Sequence, residues 1–390
     1  MANQSFSQMR LRNAESILET VRLHSEISRA DLARETELSP ATVSSIVDDL
    51  IKTGFLNETG ARSTSVGRRP IGLVFNPEAG YIAGICIDIE RLSLVLCDLD
   101  GKVKVEQSAT LDNNLETQEI SEACIKIIRS ACKSIGVSMS NVGVLGLAVP
   151  GPLKEDHYFA NGARRPEIYN SIKEVLARKM SIPVKIDSLV NMAALAEGMR
   201  GAGQGANCLV YFRIGHAMRS AVIINHQLLA GKNNLAGEIG HLTMLGQTGI
   251  CHCGKTGCVN AIAAVPHFLD RCRKDGIKID HEQEMPDLAV LGKQNFQVLL
   301  TECASAVGFA ISAVINTLAP DAVIVSSPYT TCGAAFQEPL TNALSKFTQA
   351  DLLTQCKILQ SQLKGSPEAY GAALSAMQSY PLLEHVSARL

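Results

Sequence analysis

Apolar positions in the first 75 residues recur at helical spacing. Between residues 12 and 23 they fall at Ala14, Ile17, Leu18 and Val21, one stripe of an amphipathic helix. Ser28 then opens the short run SRADLARETEL, with Asp31 three residues on, and predicts a capped helix. A tight turn at residues 37–39 leads into PATVSSIVDDLIKTG, where Pro40 takes the first helical position and Gly54 ends the helix. FLNETGARSTSVGRRPIGLVF follows, two alternating runs around a Gly/Ser/Thr-rich tip, and predicts a β-hairpin. From Tyr81 the pattern changes. YIAGICIDI, LSLVLCDLD and KVKVEQSATL predict three successive strands, with a turn at Asp100-Gly101. A helical pattern over residues 115–135, the buried strand in VGVLGLAVPGP, a helix near 168–179, the strand IPVKID and the helix NMAALAEGMRGA continue an α/β texture. LVYFRI and RSAVIINHQLL add two strands. Helices dominate after them, interrupted by one late strand at DAVIVSS.

Helix, short helix, tight turn, helix, hairpin is the order of a winged helix-turn-helix. Its second helix would present Ser39, Ala41, Thr42 and Ser45 to base edges in a major groove, while Arg62, Arg68 and Arg69 on the wing would meet phosphates. Residues 1–75 hold nine Lys/Arg and nine Asp/Glu, which argues against a general attraction to DNA. Position weakens that objection, because Asp48 and Asp49 fall late in the helix, away from its groove-facing start. A small helical interaction domain would share these elements, but the complete order favours double-stranded DNA.

Composition narrows the remaining classes. A chain of 390 residues suits two or three domains, and 46% hydrophobic against 19% charged residues excludes disorder. The net charge of −2 confines any DNA contact to a local patch. No apolar run approaches the roughly 18 residues of a membrane span, so no membrane insertion is expected. The start has no apolar signal-peptide core, which points to the cytoplasm. The absence of Trp and 4% aromatics weaken any case for an aromatic carbohydrate platform. Of twelve cysteines, nine are scattered and read as small buried hydrophobes. Cys251, Cys253 and Cys258 lie within eight residues and need another explanation.

Three stretches carry a family resemblance: AVPGP at residues 148–152, GEIGH at 237–241, and CHCGKTGC at 251–258. With the winged helix, they make the chain resemble a transcriptional regulator of the ROK family over nearly its whole length. The resemblance implies an actin-like, ribonuclease-H-type pair of α/β lobes behind the winged helix-turn-helix, in homodimers or homotetramers. Family members are sugar kinases or sugar-responsive repressors of the xylose and N-acetylglucosamine type. The expected division is 1–76 for DNA binding and 77–198 for the first lobe, joined by 369–390. Residues 199–368 would form the second lobe, with the metal site and oligomer contacts.

Phosphoryl transfer needs parts that this chain lacks. Where family kinases turn on Gly-Gly-Thr after a first-lobe Asp, the chain reads IDIERLS, keeping Asp88 but placing Glu90 and Arg91 at the glycines. Their GTGxGxG loop corresponds to RIGHAMRSA at residues 213–221, and their late glycine cluster to IVSSPY at 324–329. Their Asn-Asp base pair falls at Ser188 and Leu189, with Asp187 two positions before Leu189, and leucine takes no proton. No enzymatic activity is expected.

The ligand side is partly retained. Glu238 and His241 match two family sugar contacts, Asn260 stands where the family has Glu, and NGARRPEIYN offers Asn161. Arg164 and Arg165 beside it either suit a phosphorylated or acidic ligand or form a solvated loop. His241, Cys251, Cys253 and Cys258 supply one imidazole and three thiolates, the set of a closed structural Zn2+ site, one ion per chain. A disulfide within C-x-C would be strained, and His252 is a competing ligand. Such a metal would hold the loop that presents Glu238 and His241. These features predict a DNA-binding repressor of carbohydrate uptake or metabolism genes, controlled by a sugar or sugar-phosphate effector in the interlobe cleft. The alternatives are control by a protein partner and a ROK sugar kinase with an added DNA-binding domain.

Overall fold

A computed structural model describes residues 2–60, 63–64, 67–68, 71–112, 114–151 and 166–381. It opens with α1 (Ala2–Leu23), β1 (Ile27–Ser28), α2 (Arg29–Glu35) and α3 (Pro40–Lys52). The Ser28 hydroxyl accepts from the Asp31 N–H and the Ser39 hydroxyl from the Thr42 N–H, so both helices of the pair start on side-chain caps. α3 buries Val43, Ile46, Val47 and Leu50 in one cluster with Ile17, Leu18 and Leu32. Each such burial contributes about 1.5–3 kcal/mol. In the hairpin, β2 (Leu56–Thr59) pairs antiparallel with β5 (Gly72–Phe75), and β3 (Ser63–Thr64) pairs with β4 (Gly67–Arg68) nearer its tip. β1 joins the free edge of β5, a two-residue strand too short to show as a pattern.

The next elements are β6 (Tyr81–Ile87), β7 (Arg91–Asp98), β8 (Val103–Thr110), α4 (Thr117–Ser134), β9 (Val142–Val149), α5 (Pro166–Met180), β10 (Val184–Ser188) and α6 (Leu189–Arg200). Their sheet order is β10-β9-β6-β7-β8, with β6, β9 and β10 parallel and β7 and β8 antiparallel. A second unit follows with β11 (Cys208–Ile214), β12 (Met218–Ile224), β13 (Gln227–Leu228), α7 (Asn260–Ala263), α8 (Val265–Lys274), α9 (Met285–Val290) and α10 (Gln294–Leu318). It closes with β14 (Ala322–Ser326), α11 (Ala334–Phe347), α12 (Ala350–Gln355) and β15 (Lys357–Gln360). Its order, β13-β12-β11-β14-β15, repeats the first: a three-strand meander followed by two parallel strands. This duplicated topology is the actin-like, ribonuclease-H-type pair that the sequence predicted.

Three expectations need correction. RSAVIINHQLL is two strands, because Asn225 and His226 both take left-handed φ (49° and 64°) and form a two-residue hairpin turn. A second late strand, β15, extends the sheet beyond β14. The third concerns α10, which is more apolar than a search for unbroken hydrophobic runs suggests. Its 25 residues are long and apolar enough by composition to cross a membrane, but two-thirds of its most apolar stretch is buried inside the second lobe.

The last described helix, α13 (Pro367–Met377), crosses back from the second lobe to the first sheet. It lies directly on the backbones of β6 and β9, where a Cβ on Gly84 or Gly146 would collide with the Ala369 or Ala372 carbonyl. Ala369, Ala372, Ala373 and Ala376 permit that approach, and they share one apolar cluster with Ala79, Leu99 and helices α1, α2 and α3. Arg22 reinforces the joint, donating to the Leu99 carbonyl at 2.9 Å with its guanidinium 4.7 Å from the Phe75 ring centre. The winged helix is therefore packed on the first lobe.

Candidate functional site

The GEIGH loop lies against β12 because its first residue is glycine. The Ser220 N–H donates to the Gly237 carbonyl at 2.9 Å, Gly237 has φ +88°, and a Cβ there would strike the Ser220 carbonyl. Glu238 and His241 follow on a single helical turn. Backbone bridges between Thr243 and Cys258 and between Ile250 and Thr256 then close the cysteine loop. They bring ligand atoms of His241, Cys251, Cys253 and Cys258 within 4.8 Å of one another. His241 Nδ1 lies 3.7 Å from Cys251 Sγ, and the Cys253 and Cys258 sulfurs are 3.8 Å apart. Tetrahedral bonds of about 2.3 Å to sulfur and about 2.0 Å to nitrogen require edges of about 3.5–3.8 Å.

The donor chemistry agrees with that spacing. Burial and Cys251 beside it push the Cys258 thiol up to about 12, and burial also raises Cys251, so a cation between them would favour their thiolates. The four side chains could therefore hold a metal ion. His252 Nδ1 is also 3.8 Å from Cys251 Sγ, but His252 is not one of the four. The nine scattered cysteines are all free, and all but Cys208 are buried.

Two arginines of the RIGHAMRSA stretch, for which the sequence suggested no partner, cross between the lobes. Arg213, at the end of β11, donates to Asp88 beyond β6 at 2.8 Å and to Glu368 on α13 at 3.0 Å. Burial opposes its charge, but Asp88 and Glu368 hold the guanidinium above its ordinary value. Arg219, on β12, donates to Glu238 and to the carbonyl of Gly151, the glycine after β9. Burial pulls its guanidinium below the ordinary value, and the opposing pull of Glu238 does not make up the difference.

Beside Arg213 opens a cleft of 690 Å³ lined by Asp88, Glu90, Asp280, Glu282 and Glu368 as well as Arg213 and Arg273. Glu238, His241 and Arg219 do not line this pocket, and within it five carboxylates against two guanidiniums set a local field that repels phosphates.

The other ligand candidates fare differently. Asn260 is 1% exposed, and its Oδ1 accepts from the Met218 N–H at 2.7 Å, so this oxygen is engaged in tying β12 to the start of α7 behind the cysteine loop. Ser188 caps α6, and Leu189 behind it is buried. Asp187 Oδ1 accepts from the Ser188 N–H and from Asn191, so it is engaged locally. Asn161, Arg164 and Arg165 lie outside the described residues.

At the start of α3, Ser39, Ala41 and Ser45 are exposed and Thr42 is half-buried. The Ser39 hydroxyl is committed to its cap and shares a hydrogen bond with Thr42 Oγ1 at 2.8 Å. Ser45 Oγ accepts from Arg10 at 3.0 Å, and Arg10 also pairs with Asp49. Arg29 pairs with Asp48 at 2.8 Å and Glu58 at 2.7 Å. Three of the nine acids of this domain, Asp48, Asp49 and Glu58, are thus paired with arginines inside it. Arg62 and Arg69 lie outside the described residues, and of Arg68 only the backbone pairing with Ser63 is described.

A duplicated lobe with an interlobe cleft, a His/Cys loop and an attached winged helix define a two-lobed actin-like protein built onto a DNA-binding domain. The chain belongs to the ROK family, whose model matches residues 83–379, and a winged helix-turn-helix DNA-binding model matches residues 10–57. It is 28% identical over 371 residues to the xylose repressor of Bacillus spizizenii, covering 94% of this chain and 95% of that protein. The DNA-binding transcriptional dual regulator NagC of Escherichia coli is 22% identical over 388 residues, covering 96% and 95%. Among solved structures, a ROK family transcriptional regulator homologous to the Escherichia coli MLC protein matches with a TM-score of 0.74 at 19% identity, covering 97% of this chain and 99% of that one. A ROK hexokinase from Thermus thermophilus matches with a TM-score of 0.65 at 23% identity, covering 77% and 99%. The likeness to the repressors thus takes in the winged helix.

Proposed function

We propose that this chain is a DNA-binding transcriptional repressor of carbohydrate uptake or metabolism genes, acting in the cytoplasm as a homodimer or homotetramer on double-stranded operator DNA. A sugar or sugar-phosphate effector in the interlobe cleft controls it, with Glu238 and His241 as contacts. The observation that carries this is the likeness to named repressors along nearly the whole chain, winged helix included. One structural Zn2+ per chain, held by His241, Cys251, Cys253 and Cys258, would brace the loop that carries Glu238. His241 turns Nδ1 towards the sulfurs and Nε2 towards Glu238, at 3.7 Å from its Oε2, so one ring serves both groups.

The experiment starts from operator sites selected from random duplexes with the full chain. Arg68→Ala with Arg69→Ala should weaken binding and flatten its salt dependence, the log–log slope falling by roughly one for each phosphate no longer neutralised. Thr42→Ala or Ser45→Ala should instead change base preference at one half-site position. A wing variant with full affinity at every salt concentration counts against the assignment.

Phosphoryl transfer has no place in this function. Glu90 and Arg91 occupy the phosphate turn, Leu189 the base position, and Arg213 already neutralises Asp88. Calorimetry with ATP should give no binding heat up to millimolar nucleotide. Micromolar affinity, or any sugar-dependent ATP turnover, would show the kinase parts to be working.

A further inference from the structure

Arg219 stands where the corresponding loop of family kinases has glycine, and its side chain is only 16% exposed. Nη2 donates to Glu238 and Nη1 to the Gly151 carbonyl, while the buried Nε–H has no hydrogen-bond partner among the described residues. The carboxylate expected to receive ligand hydroxyls therefore already holds an internal cation. That cation in turn keeps one donor unsatisfied.

We propose that Arg219 makes this chain selective for an anionic sugar, one bearing a carboxylate or a phosphate, over the neutral sugar of the same stereochemistry. Its role rests on the effector function proposed above. A neutral sugar that uses Glu238 must draw the carboxylate away from Arg219, leaving a buried guanidinium without its counter-charge. Its hydroxyls return no charge in exchange. An anionic group supplies an acceptor for Nε–H and a negative charge for the guanidinium, and it can take two parallel N–H donors at once. Glu238 is then released to accept sugar hydroxyls. The discrimination arises because the wrong ligand leaves a buried polar group unpaired, a stronger device than shape alone.

The test is calorimetric titration and thermal shift of the full, metal-containing protein. The probes are matched pairs: glucose with glucuronate and glucose 6-phosphate, galactose with galacturonate, and N-acetylglucosamine with its 6-phosphate. Inorganic phosphate serves as the bare anion. Wild-type protein should bind an anionic member at least about ten-fold more tightly than its neutral partner, the scale of one charge-assisted hydrogen bond. Arg219→Gly should erase or reverse that preference. Arg219→Lys keeps the charge without the planar fork, and should retain the preference at lower affinity even if the glycine variant folds poorly. Equal or tighter binding of a neutral sugar by wild type, or an unchanged preference in Arg219→Gly, overturns the role of Arg219 and leaves the effector function standing. Tight binding of inorganic phosphate with no gain from the sugar also overturns it. If no sugar of either kind binds while operator binding is intact, the effector function itself fails, and the selectivity with it.

Discussion

Arg213→Ala should destabilise the protein by about 3 kcal/mol, because it strands two carboxylates at one lobe junction. Asp88 and Glu368 come from opposite ends of the first lobe's chain and converge on a guanidinium from the second. Removing one member of a fully buried pair costs roughly 3–5 kcal/mol, and the low end applies because Arg213 and Asp88 remain about a quarter exposed. The sign of a rescue distinguishes this from a simple packing loss. Adding Asp88→Asn and Glu368→Gln to Arg213→Met removes every stranded charge and should recover most of the stability. Urea unfolding of the single and triple variants reads both numbers. Near-wild-type stability in Arg213→Ala would show that water already compensates these carboxylates.

The elements of this fold were legible wherever burial is one-sided and turns are marked by Pro, Gly or Ser. Ser28, Ser39 and Pro40 set the starts of α2 and α3, and the cap hydrogen bonds lie where the spacing put them. The His/Cys loop was legible because its ligands are close in sequence and chemically distinctive. What escaped were long-range pairings. Arg213 and Arg219 read only as bulk in a stretch that should be a glycine loop, because nothing local tells that one reaches Glu368, 155 residues on, and the other Gly151, 68 residues back. Arg10 was missed for the same reason, since its partners Ser45 and Asp49 lie on another helix. Glu197 is a further case. It is fully buried and accepts from the Ala202, Gln362 and Leu363 N–H groups and from the Ser361 hydroxyl, pinning the end of α6 to the loop after β15 that returns to the first lobe. In the sequence it sits inside NMAALAEGMRGA as an ordinary helical glutamate.

Cys253→Ser should lower bound zinc from one ion per chain to none and weaken operator binding at least about ten-fold, although it changes the most exposed of the four ligands. Three remaining donors leave Cys251 and Cys258 buried as neutral thiols around a gap, and the bridges Thr243–Cys258 and Ile250–Thr256 lose the ion that would draw them together. Glu238 and Asn260 flank that loop. Asn260 ties it to Met218 on β12, so loosening passes into the second sheet and into the lobe expected to carry oligomer contacts. The DNA-binding domain lies on the other lobe and, among the described residues, shares no apolar cluster with Cys251 or Cys258, so its own fold should persist. Operator affinity should fall because two half-sites need two recognition helices held one DNA turn apart. The thiols must lose protons to bind the metal, so acid should reproduce the mutation: zinc retention falls as pH falls, and it recovers as pH rises. Elemental analysis and sedimentation across pH 5–8 read stoichiometry and assembly together. A zinc-free variant that stays assembled and binds operator at wild-type affinity would separate the metal from repression.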